Sequence, residues 1–429
     1  MVNAGRTRLA AGPAAAIGIA VILIAAILTA GILTSCTPNG APLLETAGAQ
    51  STVSPVGREY ESGGGDPDFE VVRQAAATYL HGEKVLRMGA DELWSRMSNG
   101  DETDDPFILS LQAPQRYAAG HIPGALNAKL TEIAQLDQLA WLPNNRLIVV
   151  YCDNGHLGQL ASTLLDLLGY DAINLDYGLL GWTADEDAIA DDGPDLLPAR
   201  AGYPLETEAN IPAGQHPLPV LATGGLSDAE VIRLAADRWL RTSPEATILT
   251  ASAVYHAIAG AGSGAGSGAG PGAGPGAGSD GSNAAQPLLV DVRTPEQYAQ
   301  GHLPGAISLP WQEMVELTNL AGLPTDRPII AYSEYGQTGA AASAVLGILG
   351  YRASSMAYGI AGWTNKDALL REPLPNLESP GRGYPLEQGQ FPAAPSPAAS
   401  PVPEHTPEPP AGGTPVEPTT IPLEYESKC

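Results

Sequence analysis

Basic residues are scarce in this 429-residue chain: 21 Lys and Arg stand against 47 Asp and Glu, a formal net charge of −26. Nucleic-acid binding needs a basic face to meet phosphates, so this balance argues against it. The charge is accounted for by solubility. Cysteine is scarcer still. Cys36, Cys152 and Cys429 are the only three, too few for a disulfide framework. There is no Cys-x-x-Cys pair to form a redox couple, and nothing positions Cys429 against Cys152. The seven histidines show no metal-ligand spacing with cysteine, so no metal and no other cofactor is expected. Around residues 260–282 no apolar side chain is larger than Ala. Such a tract cannot offset its ordering entropy by burial and reads as a flexible surface loop.

What is present is a long internal repeat. RYAAGHIPGA at 116–125 returns as QYAQGHLPGA at 297–306, an offset of 181. The same offset carries Cys152 onto Ser333, Gly155 onto Gly336, Gly158 onto Gly339, Trp182 onto Trp363, and Tyr203-Pro204-Leu205-Glu206 onto Tyr384-Pro385-Leu386-Glu387. Solenoid repeats run roughly 20–50 residues, so this period marks a duplicated domain. Upstream, Phe69-Glu70-Val71-Val72-Arg73 matches Ala229-Glu230-Val231-Ile232-Arg233 at an offset of 160. The difference of 21 is close to the length of the Gly-rich tract, which is therefore an insertion within the second copy.

The ends are of other kinds. Arg6 and Arg8 precede an uncharged apolar run from about Pro13 to Leu33. The run closes on Leu33-Thr34-Ser35-Cys36, which resembles a bacterial lipobox with Cys36 as the lipidated residue. An uncleaved membrane helix is the other reading, since the run approaches the roughly 20 residues that span a bilayer. Either way the arginines stay cytoplasmic and the rest lies outside, so a membrane-anchored protein on the extracytoplasmic face is expected. The expected organisation is an anchor over 1–36, a flexible stalk over 37–68, a first domain over 69–206, a linker over 207–228, a second domain over 229–387 and a Pro-rich disordered tail over 388–429.

Within a copy, short apolar β-branched runs alternate with helical stretches. Pro287–Val292, Ala306–Leu309 and Arg327–Tyr332 read as strands, with Arg146–Tyr151 the first-copy match of the last. Glu296–Gln300 and Ala340–Leu349 read as helices, as does the stretch from about Gln159 to Leu168. This alternation implies an α/β domain with a small parallel sheet flanked by helices, present twice. Cys152 stands between a strand end and the first turn of a helix, where backbone N–H groups and the helix dipole favour a thiolate and a bound anion. Gly155 and Gly158 let the intervening loop, Asp153-Asn154-Gly155-His156-Leu157-Gly158, curl so that its amides converge.

Together Asp291-Val292-Arg293, the GHIPGA and GHLPGA segments, Tyr151-Cys152 with Gly155, and the closing Gly178…Trp182 and Gly359…Trp363 resemble the rhodanese-like domain family. The resemblance covers about residues 69–205 and 229–387. It implies sulfane-sulfur transfer through a persulfide on Cys152, with residues 153–158 as the substrate-binding loop. Thiosulfate is a common donor in that family. Three departures bear on this. Leu157 stands where active members often hold an anion-binding Arg. Asp153 puts a negative charge beside the thiol, which raises its pKa, while His156 could offset that as a donor or, protonated, as a cation. Ser110 and Gln112 replace the family's Asp and Arg, a change that reads as relaxed selection. In the second copy Ser333, with Gly336 and Gly339, forms a degenerate site, because a serine without a local base is a poor nucleophile. His121 and His302 are expected to bond local backbone, and Trp182 and Trp363 to anchor the core. Two functions follow. One is persulfide transfer between a sulfur donor and an acceptor, each a small molecule or a thiol protein, with the two domains paired within the chain. The other is a non-catalytic binding or scaffold protein.

Overall fold

The computed structural model describes residues 65–185, 200–242, 248–259, 286–371 and 382–389. The anchor segment with Cys36, the stalk up to residue 64, the Gly-rich insertion, Cys429 and the tail beyond residue 389 lie outside the described residues. No helix among the described residues is long and apolar enough to cross a membrane.

In the first half the elements run α1 (Pro67–His81), β1 (Arg87–Met88), α2 (Ala90–Ser98), β2 (Phe107–Ser110), α3 (Pro114–Ala119), β3 (Leu126–Asn127), α4 (Leu136–Leu139), β4 (Ile148–Tyr151), α5 (His156–Leu167), β5 (Ala172–Leu175) and α6 (Gly178–Trp182). The second half repeats them as α7 (Asp228–Thr242), β6 (Ile248–Leu249), α8 (Ala251–Ala259), β7 (Leu288–Asp291), α9 (Pro295–Gln300), β8 (Ile307–Ser308), α10 (Leu317–Leu320), β9 (Ile329–Tyr332), α11 (Gln337–Ile348), β10 (Ala353–Met356) and α12 (Gly359–Trp363). Each half is an α/β domain around a five-stranded sheet, ordered β1-β5-β4-β2-β3 and β6-β10-β9-β7-β8. Every pairing is parallel. The central strands β4 and β9 are buried along their whole length, which is why they read as continuous apolar runs. In each sheet the chain leaves β2 toward one edge and β4 toward the other. Their carboxyl ends therefore flank a topological switch point, where α/β sheets open a crevice.

One apolar core runs through both halves. Leu160, Leu164 and Leu165 of α5 join Ala341, Val345 and Leu346 of α11 in it, together with buried residues of α1 and α7. The outer faces have separate cores around Trp182 and Trp363.

The repeated Tyr-Pro-Leu-Glu segments are exchanged between the halves. Tyr203 to Asn210, which follows the first domain in sequence, docks on the second: Glu206 bridges His302, Trp363 Nε1 donates to Pro204 O at 2.8 Å, and Tyr203 stacks on Tyr255 at 4.3 Å. Tyr384 to Gly389, after the second domain, returns to the first. There Glu387 bridges His121, Trp182 Nε1 donates to Pro385 O at 2.9 Å, and Tyr384 stacks on Trp94 at 5.0 Å. The two histidines anchor this from below, their Nδ1 atoms 2.7 and 2.9 Å from the carbonyls of Tyr117 and Tyr298.

Candidate active site

Tyr151 ends β4 and fixes where the next residue sits. Its ring is buried, and its hydroxyl accepts from Ile122 N at 3.1 Å, tying the strand to the GHIPGA turn. Tyr332 does the same with Leu303 N. Cys152 follows, 3% exposed and unpaired to any other cysteine. Its Sγ accepts from Gly155 N at 3.2 Å and lies 3.6 Å from Asn154 Oδ1. Burial raises the thiol pKa, and Asp153 raises it further. The amides of Gly158, Asn154 and Gly155 pull the other way without prevailing.

The loop is shorter than the sequence suggests. The helix starts at His156, not near Gln159, because Gly155 alone makes the turn, as an N-cap with φ of 84°. Gly158 lies inside the first helical turn. Its role is close packing: a Cβ there would overlap Asn174 Oδ1 and approach Tyr151 Cα to 3.1 Å. Leu157 is half-buried against the shared core.

His156 is also placed differently from expectation. It is 1% exposed and crosses into the second domain, where Nε2 accepts from Tyr358 N at 2.9 Å and lies 3.3 Å from Tyr335 O. Gly336 lets the ring in, since a Cβ there would come within 2.6 Å of Nε2. Burial drives the imidazole pKa down to about 4. At neutral pH it is uncharged, so it supplies no cation to the loop. Gln337, its counterpart, reaches the opposite way and accepts from Asn174 Nδ2 at 2.9 Å.

Beside the loop, the cation has moved rather than vanished. In the second domain Arg293 Nη2 bonds Asp291 Oδ2 at 2.6 Å and Gly301 O at 2.7 Å. Burial opposes its charge, but Asp291 outweighs burial and holds the guanidinium pKa above its ordinary value. In the first domain Gln112 Nε2 donates to the matching carbonyl, Gly120 O, at 3.3 Å and to Asp153 Oδ1 at 3.2 Å. Ser110 Oγ donates to Gln112 Oε1 at 3.1 Å. The charge appears four residues on, where Arg116 Nε meets Asp153 Oδ1 at 3.1 Å. Its counterpart Gln297 is neutral and donates to Glu334 Oε2 at 2.6 Å. The quoted repeat already carried this signal, as Arg116 against Gln297, yet Arg116 is absent from the residues that sequence reasoning selects. Gln112 and Ser110 thus form a satisfied buried network, and relaxed selection is not needed to explain them.

In the degenerate site Ser333 Oγ accepts from Gly336 N at 3.0 Å and Gly339 N at 3.1 Å. Both are donors, and neither can take a proton from the hydroxyl. Glu334 next to it accepts from Arg371 Nε at 2.7 Å. Burial opposes its ionisation, but these Arg371 contacts prevail and lower its pKa.

Comparison with known proteins fits this geometry. The family model for the rhodanese-like domain matches residues 89–185 and again 278–366. A stretch of 77 residues is 36% identical to a sulfurtransferase of Allochromatium vinosum, covering 18% of this chain and 70% of that protein. Another of 93 residues is 44% identical to an HTH-type transcriptional regulator of Mycobacterium tuberculosis, covering 21% of this chain and only 38% of that protein. The crystal structure of a thiosulfate sulfurtransferase from Pseudomonas aeruginosa aligns over 69% of this chain and 48% of its own, with 18% identity and a TM-score of 0.25. The chain belongs to the rhodanese-like domain family and carries that domain twice, in tandem.

Proposed function

We propose that the chain is a membrane-anchored, exported sulfurtransferase whose first domain carries sulfane sulfur on Cys152 and whose second domain has no sulfur chemistry of its own. The observation that carries this reading is the Cys152 cradle at the end of β4, with Gly155 N on the sulfur at 3.2 Å. Converging amides stabilise a thiolate or the terminal sulfur of a persulfide. The Cys152 thiolate attacks the outer sulfur of a hydropersulfide. The S–S bond of the donor breaks, the donor thiolate leaves with the electron pair and takes a proton, and Cys152 becomes a persulfide. An acceptor thiolate then attacks that outer sulfur and restores the Cys152 thiolate, with no net oxidation. Leu157 stands in place of a cation and the nearby Arg116 is engaged by Asp153, which favours a neutral or protein-bound persulfide donor over the dianion thiosulfate. Ser333 has only donors around its oxygen, so it stays a poor nucleophile.

The second reading, a binding or scaffold protein, is favoured by one specific observation: the thiol is 3% exposed and held above its ordinary pKa by burial and Asp153. The full chain and its Cys152→Ser variant, each exposed to cysteine hydropersulfide and separately to thiosulfate, decide between them. A gain of one sulfur on the Cys152 peptide, reversed by cyanide and absent from the variant, is expected with the hydropersulfide. No gain from either donor supports the scaffold.

A further inference from the structure

The loop that carries Cys152 meets the opposite half of the molecule at His156. Tyr358 sits between β10 and α12, the loop position that Tyr177 holds in the first domain, and both have left-handed backbones with φ of 56° and 55°. A bulky residue keeps that conformation only where its surroundings compensate. For Tyr358 the compensation lies in the first domain. Its N–H donates to His156 Nε2 at 2.9 Å, its ring stands edge-on to the imidazole with centroids 4.6 Å apart, and it is 2% exposed. Its phenol is hydrogen-bonded to the Asn154 side chain and lies within reach of the Cys152 charge. Burial first, and then that charge, hold its pKa well above the usual phenol value. Asn154 is the joint between the two halves. Its Oδ1 stands 3.6 Å from Cys152 Sγ and accepts from His156 N at 3.3 Å.

We propose that Tyr358, from the domain that lacks a cysteine, is a positioning residue for Cys152: it holds Asn154 against the thiol, keeping the resting sulfur protonated and covered until the Tyr358–Asn154 contact opens. A carbonyl oxygen that accepts from S–H favours the neutral thiol, so fixing that oxygen in place opposes ionisation. The second half thereby acts on the thiol of the first through the Tyr358 side chain. What enters the opened site rests on the sulfur-transfer reading, whereas the cover concerns the thiol alone.

The test compares the full chain with Tyr358→Phe, which keeps the ring but loses the oxygen tied to Asn154, and Tyr358→Gly, which uncovers the sulfur at a position where glycine is unstrained. Iodoacetamide alkylation of Cys152 is followed on its peptide by mass from about pH 6 to about pH 10, with sulfur gain from cysteine hydropersulfide measured in parallel. In Tyr358→Phe the apparent thiol pKa is expected to fall by about one unit, with alkylation near neutral pH about ten-fold faster. Tyr358→Gly is expected to be faster again. A wild-type pH profile in Tyr358→Phe overturns the proposal, as does a faster rate with an unmoved pKa, which is what mere loosening gives. A shifted profile with no sulfur gain in any variant upholds the positioning role and removes the sulfur-transfer reading.

Discussion

The ends of β2 and β7 are the same place in two copies of one domain, and they are built from different chemistry. The second domain places a full ion pair there, Asp291 with Arg293, at 0% and 2% side-chain exposure. The first uses neutral residues, Gln112 bonding the matching carbonyl of Gly120 and Ser110 bonding Gln112, and has its cation further out at Arg116, where it meets Asp153 beside the thiol. A buried ion pair gives rigidity but is costly to desolvate, whereas a neutral amide satisfies the same carbonyl at lower cost. The domain without a thiol keeps its charge in the core. The domain with one puts the compensating charge at the reactive loop.

The largest expected difference comes from breaking that pair. Arg293→Ala leaves Asp291 charged in the core without its counter-ion and is expected to cost about 3–5 kcal/mol in urea unfolding. The matched Gln112→Ala, which loses neutral bonds, is expected to cost about 1–3 kcal/mol. Equal costs would mean that the two ends are energetically alike.

His156 and Gln337 offer the next contrast, since each crosses to the opposite half and only one titrates. The folded pKa of His156 is about 4, below its unfolded value of 6.5. Its contribution is therefore complete above about pH 6.5 and is lost as pH falls toward about 4, by about 3 kcal/mol at the acid end. His156→Gln, which copies the second domain, is expected to flatten that part of the stability–pH curve. A curve unchanged by the substitution would assign the acid loss to other groups.

The exchanged segments provide a smaller effect with a clear direction. Glu387 Oε2 accepts from Gly124 N at 3.0 Å, and Glu206 Oε2 from Gly305 N at 2.9 Å. Glu387→Ala is expected to speed amide exchange in the first-domain turn around Gly124, and Glu206→Ala in the second-domain turn around Gly305. Each loosened turn lies in the other domain, not in the one that immediately precedes the substituted residue. The opposite pattern would refute the crossover. Smallest is Arg116→Gln, which copies Gln297. It leaves Asp153 less compensated and is expected to slow Cys152 alkylation near neutral pH about two- to five-fold, within the range of a partly exposed pair.

Local pattern made much of this legible. β4 and β9 are uninterrupted apolar runs, so their burial and the parallel sheet could be read directly, and the constant offset of 181 placed Cys152 and Ser333 at one structural position. The start of α5 was less legible, because a glycine that packs closely, Gly158, looks in sequence like one that turns the chain. Arg116 and Tyr358 were written in the repeat but carried no local sign of what they meet.

The sequence by itself determined that there are two domains, that both are α/β, and that one has a thiol where the other has a hydroxyl. Each of these depends on residue identity and on periodicity along the chain. Only the tertiary structure decided that His156 is neutral and interdomain, that the two Tyr-Pro-Leu-Glu segments cross to opposite halves, and that a tyrosine from one domain packs on the histidine of the other's cysteine loop. These depend on which surfaces meet across some two hundred residues, and burial and partner contacts at that range leave no periodic trace in the chain.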